Sequence, residues 1–271
     1  MGKITALAGN QRTLYQIDAF ADKVFSGNPA AVVPLENWLP EDTMQHIAME
    51  NNLSETAFIV KEGERFAIRW FTPTAEVDLC GHATLATAFV IFRYLEPDTQ
   101  EIEFDSRSGP LSVTRKGSKM RMDFPKDVPQ SLSKQKGEID GVIGGNTVAV
   151  MKGKDDILAI LATQLEVEKI RPDFGLMSKL DCRGLIVSAV GENYDFVSRC
   201  FYPNYGVNED PVTGSAHCLL APYWSEVLHK KTLNARQLSR RGGSLTCKVG
   251  ENRVYLSGTC VPYMIGKITL P

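Results

Sequence analysis

"VDLCGHATLATAF" runs from Val77 to Phe89, and "VNEDPVTGSAHCLLA" runs from Val207 to Ala221. The two stretches fall into register when the chain is slid by 130 positions. Under that shift Phe66 falls on Phe196, Arg69 on Arg199, Phe71 on Phe201, Pro73 on Pro203, Val77 on Val207 and Ala86 on Ala216. "FAIRWFTP" lies on "FVSRCFYP" without a gap, and Cys80 lands on Asp210. Repetition over a domain-sized interval points to a duplicated unit.

The patterning around each copy is alike. In the first half Leu14–Phe20, Ala30–Leu35, Thr56–Val60 and Arg65–Phe71 read as strands, the last two as a hairpin around "KEGE". Pro40–Asn52 reads as a helix with Met44, Ile47 and Ala48 on one face. Gly81–Leu95 is a helix apolar on nearly every side, the mark of a buried one. Strands follow at Glu101–Asp105, Leu111–Arg115 and Lys119–Phe124. "PKDVPQSLSKQKGE" is the linker candidate.

The second half reads as a strand at Thr147–Met151, a helix at Asp155–Thr163, strands in "GLIVSAV" and "YDFVSRCFYP", and a helix at Thr213–Leu228. Short strands then run to the end. Each half is thus strands, one buried helix, then more strands. A sheet curled around a central helix hides that helix and removes exposed edges.

Bulk properties exclude several function classes. The 271 residues carry a net charge of −2, with no long basic run of the kind nucleic-acid binders show. "HKK" (His229–Lys231) and "SRRGG" (Ser239–Gly243) read as solvated turns. "MGKITALAGNQRT" lacks a signal-peptide h-region, and "MGKITA" fits the short myristoylation pattern only as chance would have it. The longest apolar run, around Ala83–Phe92, is too short to span a bilayer. Cysteines stand at 80, 182, 200, 218, 247 and 260, with no C-x-x-C spacing and no histidine placed to complete a zinc set. A reduced cytoplasmic chain without a metal is the expectation.

Helix N-termini carry unpaired N–H groups and partial positive charge. Two of them on one cleft suit a carboxylate. Removing a proton beside a carboxylate builds an enolate-like dianion, which aimed donors stabilise. The proton carrier then comes from Glu55, Asp210, Cys80 or His82. Glu55, between a helix and the apolar "TAFIV", can be partly desolvated, which moves its pKa toward the working pH. His82 can hold a substrate oxygen or serve structure. Cys80 at a helix start can act as acid, base or nucleophile, or be inert. Asp210 before a proline is first a capping residue, and Ser215 can bond a ligand or its own backbone.

Five blocks, in order, carry a resemblance: "DAFADKVFSGNPAAVV", "NNLSETAFIV", "RWFTPTAEVDLCGHATLATA", "EDPVTGSAH" and "RRGG". The chain resembles the phenazine-biosynthesis PhzF-like isomerase family from about Tyr15 to its C-terminus, and looks closest to the animal-type phenazine biosynthesis-like domain-containing proteins. The resemblance implies an α+β fold of two pseudo-repeated diaminopimelate epimerase-like barrels with the active site between them. On that plan residues 1–118, completed by 260–271, form one barrel and 119–259 the other. It implies a homodimer and a cofactor-independent isomerase acting on a small carboxylate. In the epimerases two cysteines at the helix starts are base and acid. Here those positions are Cys80 and Asp210, which speaks against a two-thiol mechanism. The match to the phenazine enzyme assigns Glu55 as general acid/base. It places Gly81, His82, Asp210, Gly214 and Ser215 around the substrate, and leaves Cys80 a relic, a packing residue or an auxiliary group.

Two rival readings remain at this level. One is a binding or scaffolding protein that keeps the fold without turnover. The other is a cysteine hydrolase built on Cys80 and His82, which the divergence of side chains two apart on a helix argues against.

Overall fold

The computed structural model describes residues 10–270. The "MGKITA" pattern and the first nine residues of the proposed 1–118 barrel lie outside them. The chain divides into two compact units. The first comprises the described residues through Phe25, Pro29–Met120 and those from Thr259 onward; the second comprises Ser26–Asn28 and Arg121–Gly258.

In the first unit strand Asn28–Leu35 runs parallel to Glu55–Glu62, with Ala30 opposite Glu55. Glu55–Glu62 turns back antiparallel on Arg65–Phe71. Arg65–Phe71 lies parallel to Glu101–Ser106, which turns back on Gly109–Lys116. The first strand, Gln11–Ala19, pairs with the last, Cys260–Thr269, from Gln11 opposite Thr269 to Ala19 opposite Cys260. The chain therefore returns at its end to complete the unit in which it began.

The second unit repeats the ladder. Strand Asp156–Ile160 is parallel to Gly184–Val190, which is antiparallel to Phe196–Tyr202. That strand is parallel to Thr232–Gln237, which turns back on Gly243–Val249. The succession parallel, antiparallel, parallel, antiparallel is the same in both units. Side chains echo it. Arg69 lies 5.2 Å from the ring centre of Phe71, and Arg199 lies 5.2 Å from that of Phe201. Each arginine also makes a two-point pair with a glutamate, Glu76 in one unit and Glu209 in the other.

Six helices, α1 (Glu41–Asn51), α2 (Gly81–Val90), α3 (Lys136–Ile143), α4 (Gln164–Lys169), α5 (Phe174–Met177) and α6 (Ala216–Val227), serve this frame among the described residues. α2 and α6 occupy the parallel crossovers of the two repeats. α2 is buried from His82 through Ala88. Its alanines allow close approach on every side. Its threonines bond back to their own helix, Thr84 Oγ1 to the Cys80 carbonyl at 2.6 Å and Thr87 Oγ1 to that of Ala83 at 2.7 Å. The buried hydroxyls thus cost little. α6 contains Pro222, which cannot donate to the Cys218 carbonyl. The Asp127 N–H supplies that bond instead, at 3.1 Å.

Some local expectations fail. Asp155–Thr163 is not a helix: Asp156–Ile160 is a strand buried at every position. A short apolar run has no period to separate the two states, and the buried parallel pairing decides it. "PKDVPQSLSKQKGE" is not a linker. It holds the end of strand Lys119–Pro125, the two-residue strand Gln130–Ser131, a 3-10 turn at Ser133–Gln135 and the start of α3. The helix expected over Gly81–Leu95 is α-helical to Val90 and π-helical over Ile91–Leu95.

Candidate functional site

In the first unit three sequence-identified residues converge. α1 ends on Asn52, in the left-handed region at φ 48°, whose N–H bonds the Ala48 carbonyl. The chain then enters the strand that Glu55 opens. Asn51 Nδ2 reaches Thr56 Oγ1 at 3.1 Å and tightens this corner. Opposite it α2 begins at Gly81, with Cys80 in the capping position and His82 in the first turn. Glu55 Oε2 lies 3.2 Å from His82 Nε2. His82 Nδ1 lies 3.4 Å from Cys80 Sγ.

The order is carboxylate, imidazole, thiol. Burial holds the His82 pKa down to about 3, so the ring is neutral at physiological pH. A neutral ring bears one proton. With the thiol donating to Nδ1, that proton sits on Nε2, the nitrogen 3.2 Å from Glu55 Oε2. The Cys80–His82 contact overturns the expectation that these side chains diverge. Cys80 is extended, at φ −142° and ψ 109°, so helical spacing does not apply to it. The contact does not make a hydrolase. A ring with a pKa near 3 is too weak a base to take a thiol proton.

The fold also gathers donor atoms that sequence spacing did not bring together. One donor atom each from Glu55, Cys80 and His82 lies within 4.8 Å of the others. Nitrogen, sulfur and oxygen are donors that zinc accepts. A metal would compete for the ring nitrogen that faces Glu55 or the one that faces Cys80.

The second unit gathers Asp210, Gly214 and Ser215 at the approach to α6. Asp210 closes strand Val207–Asp210, opposite Cys200, and is not the helix cap; Ser215 holds that position. The Asp210 carboxyl accepts from Thr213 Oγ1 and, at 2.9 Å, from Asn28 Nδ2. Asn28 also donates to the Val212 carbonyl at 3.0 Å. Gln237, fully buried, accepts from the Thr213 N–H at 2.9 Å and donates to the Asp210 carbonyl at 2.7 Å. Burial pushes the Asp210 carboxyl up to about 6, against the bonds from Thr213 and Asn28 that favour its charge.

"SRRGG" proves to be more than a solvated turn. Arg241 donates to the carbonyls of Gly27 at 2.8 Å and Ser26 at 3.1 Å, and so carries Asn28 to Asp210. Ser215 Oγ accepts from Arg183 at 3.2 Å. Arg183 in turn forks onto the buried Asp156. Sequence reading missed Arg183, Asp156 and Gln237 because none falls in a recognisable block. Asn28 lay inside "SGNP" but read as a turn residue.

The profile of the phenazine biosynthesis-like protein family matches residues 17–266. A protein of Pseudomonas aeruginosa named an uncharacterized isomerase is 47% identical over 260 residues, covering 96% of this chain and 99% of its own. Mouse phenazine biosynthesis-like domain-containing protein 2 is 40% identical, covering 94% of this chain and 98% of its own. A PhzF-family crystal structure from Enterococcus faecalis superposes with a TM-score of 0.93 at 50% identity, over 96% of this chain and all of that one. A hydroxyproline epimerase from Agrobacterium vitis shares the fold, with a TM-score of 0.62 at 9% identity, over 98% of this chain and 94% of that one. The mixed α+β architecture is therefore that of the PhzF and epimerase-like folds.

Proposed function

The chain belongs to the phenazine biosynthesis-like protein family, and from that premise we propose that it is a cofactor-independent isomerase or epimerase. It moves a proton on a small carboxylate-bearing substrate, with Glu55 as the general acid/base. The observation that carries the reading is the 3.2 Å approach of Glu55 to a buried, neutral His82 at the start of α2.

The chemistry follows from that pair. Glu55 takes a proton from a substrate carbon, and the C–H electrons pass into the adjoining carboxylate or double bond. Glu55 then returns the proton to another carbon, and the double bond shifts. His82 is too weak a base to compete for that proton. His82 flanks the carboxylate at 3.2 Å as a buried, uncharged neighbour and leaves the change of charge to Glu55. A positioned acid/base group of this kind contributes about 10²–10⁴-fold. Gly81 at the start of α2 offers backbone close to the reacting centre. Asp210, Gly214 and Ser215 are assigned to substrate binding by the family match, and Cys80 to an auxiliary role through His82.

The test is solvent deuterium incorporation into trial carboxylic acids with an acidic C–H bond, with wild type and Glu55→Gln side by side. The reading expects incorporation that the variant loses. Incorporation at the same rate in Glu55→Gln removes Glu55 from the role. A wild type that labels none of a broad set of acids, and gains no thermal stability from them, favours the non-catalytic binding alternative.

A further inference from the structure

Arg183 belongs to no block that the family match singles out, yet it stands at the helix start where Ser215 does. Its Nε and Nη2 grip Asp156, and Nη2 also donates to Ser215 Oγ at 3.2 Å. Nη1 has no hydrogen bond among the described residues. The side chain is 33% exposed, whereas Asp156 is 5% exposed. One edge of the guanidinium is therefore anchored, and the other is presented outward beside the first turn of α6.

Its seat is built for the purpose. The guanidinium lies over the ring of Tyr202, 5.5 Å from the centroid. That ring rests on Gly184, where a Cβ would come within 2.2 Å of ring carbons. Any side chain at 184 would lift the ring, and with it the arginine. Tyr202 is only 8% exposed, and its hydroxyl has no hydrogen-bond partner among the described residues. A partly exposed guanidinium with one edge anchored and Nη1 unbonded, beside a helix start, is a charge-assisted donor available to an anion.

A purely structural ion pair accounts for less. Tying strand Asp156–Ile160 to Gly184–Val190 needs only the Asp156 end, and it explains neither the outward edge nor the bond to Ser215. We propose that Arg183 binds a carboxylate group of the substrate, in a subsite shared with the Ser215 hydroxyl at the start of α6. The inference rests on the carboxylate-isomerase reading above and adds to it the cationic group that the reading lacked. Arg183 is a binding residue in this scheme, and Asp156, Tyr202 and Gly184 are positioning residues.

The test titrates sodium acetate, benzoate and succinate, at constant ionic strength against chloride, into the ¹⁵N-labelled full chain. The readouts are the amides of Ser215 and Ala216 and the Nε–Hε signal of Arg183. Wild type should show saturable shifts at all three for at least one acid. Arg183→Gln should weaken that binding about tenfold or more, the worth of a charge-assisted hydrogen bond. Because this variant strips Asp156 of its partner and endangers the fold, Arg183→Gln/Asp156→Asn, which removes both charges, is measured beside it. A well-folded double variant that loses less than this overturns the assignment, as does a wild type that shows no saturable shift at these signals. Glu55→Gln keeps the two readings apart. If it still labels substrate while binding depends on Arg183, the proton-transfer role falls and the anchor stands.

Discussion

His82 Nδ1 sits 3.4 Å from the sulfur of Cys80, although only Gly81 separates them, because Cys80 is extended and the helix starts after it. The contact couples the thiol to the histidine tautomer. With the thiol as donor to Nδ1, the ring proton is left on Nε2, 3.2 Å from Glu55 Oε2. Cys80→Ala removes that donor but none of the proton-carrying groups. The expected outcome is a loss of Nε2–H tautomer purity in ¹⁵N spectra of the His82 ring. Deuterium incorporation should fall by less than about tenfold, far less than the 10²–10⁴ expected for Glu55→Gln. A collapse as deep as that of Glu55→Gln would move Cys80 from auxiliary to essential.

Acid should destabilise the fold before any carboxylate in an ordinary environment titrates. Burial lowers His82 to about 3 and His217 to about 4, against 6.5 for the free side chain. The unfolded chain then binds more protons than the folded one below about pH 6.5, so stability falls as the pH drops through that value. At pH 5 each histidine accounts for about 2 kcal/mol. Asp210 works the other way: its pKa, raised to about 6, makes the folded state gain protons first. Its contribution at pH 5 is about 1.4 kcal/mol. Two losses against one smaller gain leave a net fall of about 2–3 kcal/mol. Urea midpoints at pH 7.5 and pH 5.0 check this, and equal midpoints would contradict the buried neutral state of the histidines.

Much of this was readable in the chain, and what was not has physical causes. The repeat was legible because the strand Arg65–Phe71 and the helix α2 must satisfy the same packing twice, and the Arg69 and Arg199 pairs kept their aromatic partners. Glu55 and His82 were legible because they lie in blocks whose order is specific. Asp156 was not: "DDILAIL" has the apolar content of either a helix or a buried strand, and only pairing with Gly184–Val190 decides between them. Arg183 was hidden for a related reason. An arginine's role depends on what lies across the sheet, here Asp156 and Tyr202, and no spacing along the chain records that.

Metal dependence separates two uses of the Glu55, Cys80 and His82 cluster. In the proton-transfer reading the carboxylate works beside a neutral ring. Prolonged treatment with EDTA should then leave deuterium incorporation unchanged, and added Zn²⁺ should inhibit by engaging the sulfur, nitrogen and oxygen that lie within 4.8 Å. Inhibition by zinc should disappear in Cys80→Ala. Loss of activity on chelation, restored by one equivalent of zinc, is the result that would replace the carboxylate mechanism with a metal-assisted one.

The repeat also makes a prediction about packing. Ala86 and Ala216 are equivalent under the 130-residue shift, and both are fully buried, one in α2 and one at the start of α6. If each helix is enclosed by its own curled sheet, neither site has room for added carbon atoms. Ala86→Leu and Ala216→Leu should each destabilise by about 1–3 kcal/mol through overpacking, with the larger cost where the neighbours are backbone. Met44 faces the other kind of problem. It is fully buried in α1 in the cluster that holds Phe58 and Phe71. Met44→Ala should cost about 2–5 kcal/mol by leaving a cavity. Chemical denaturation of the three variants measures all of these. Ala86→Leu and Ala216→Leu as stable as wild type would show that the helices have an open side, and the closed-sheet account of both units would fail with them.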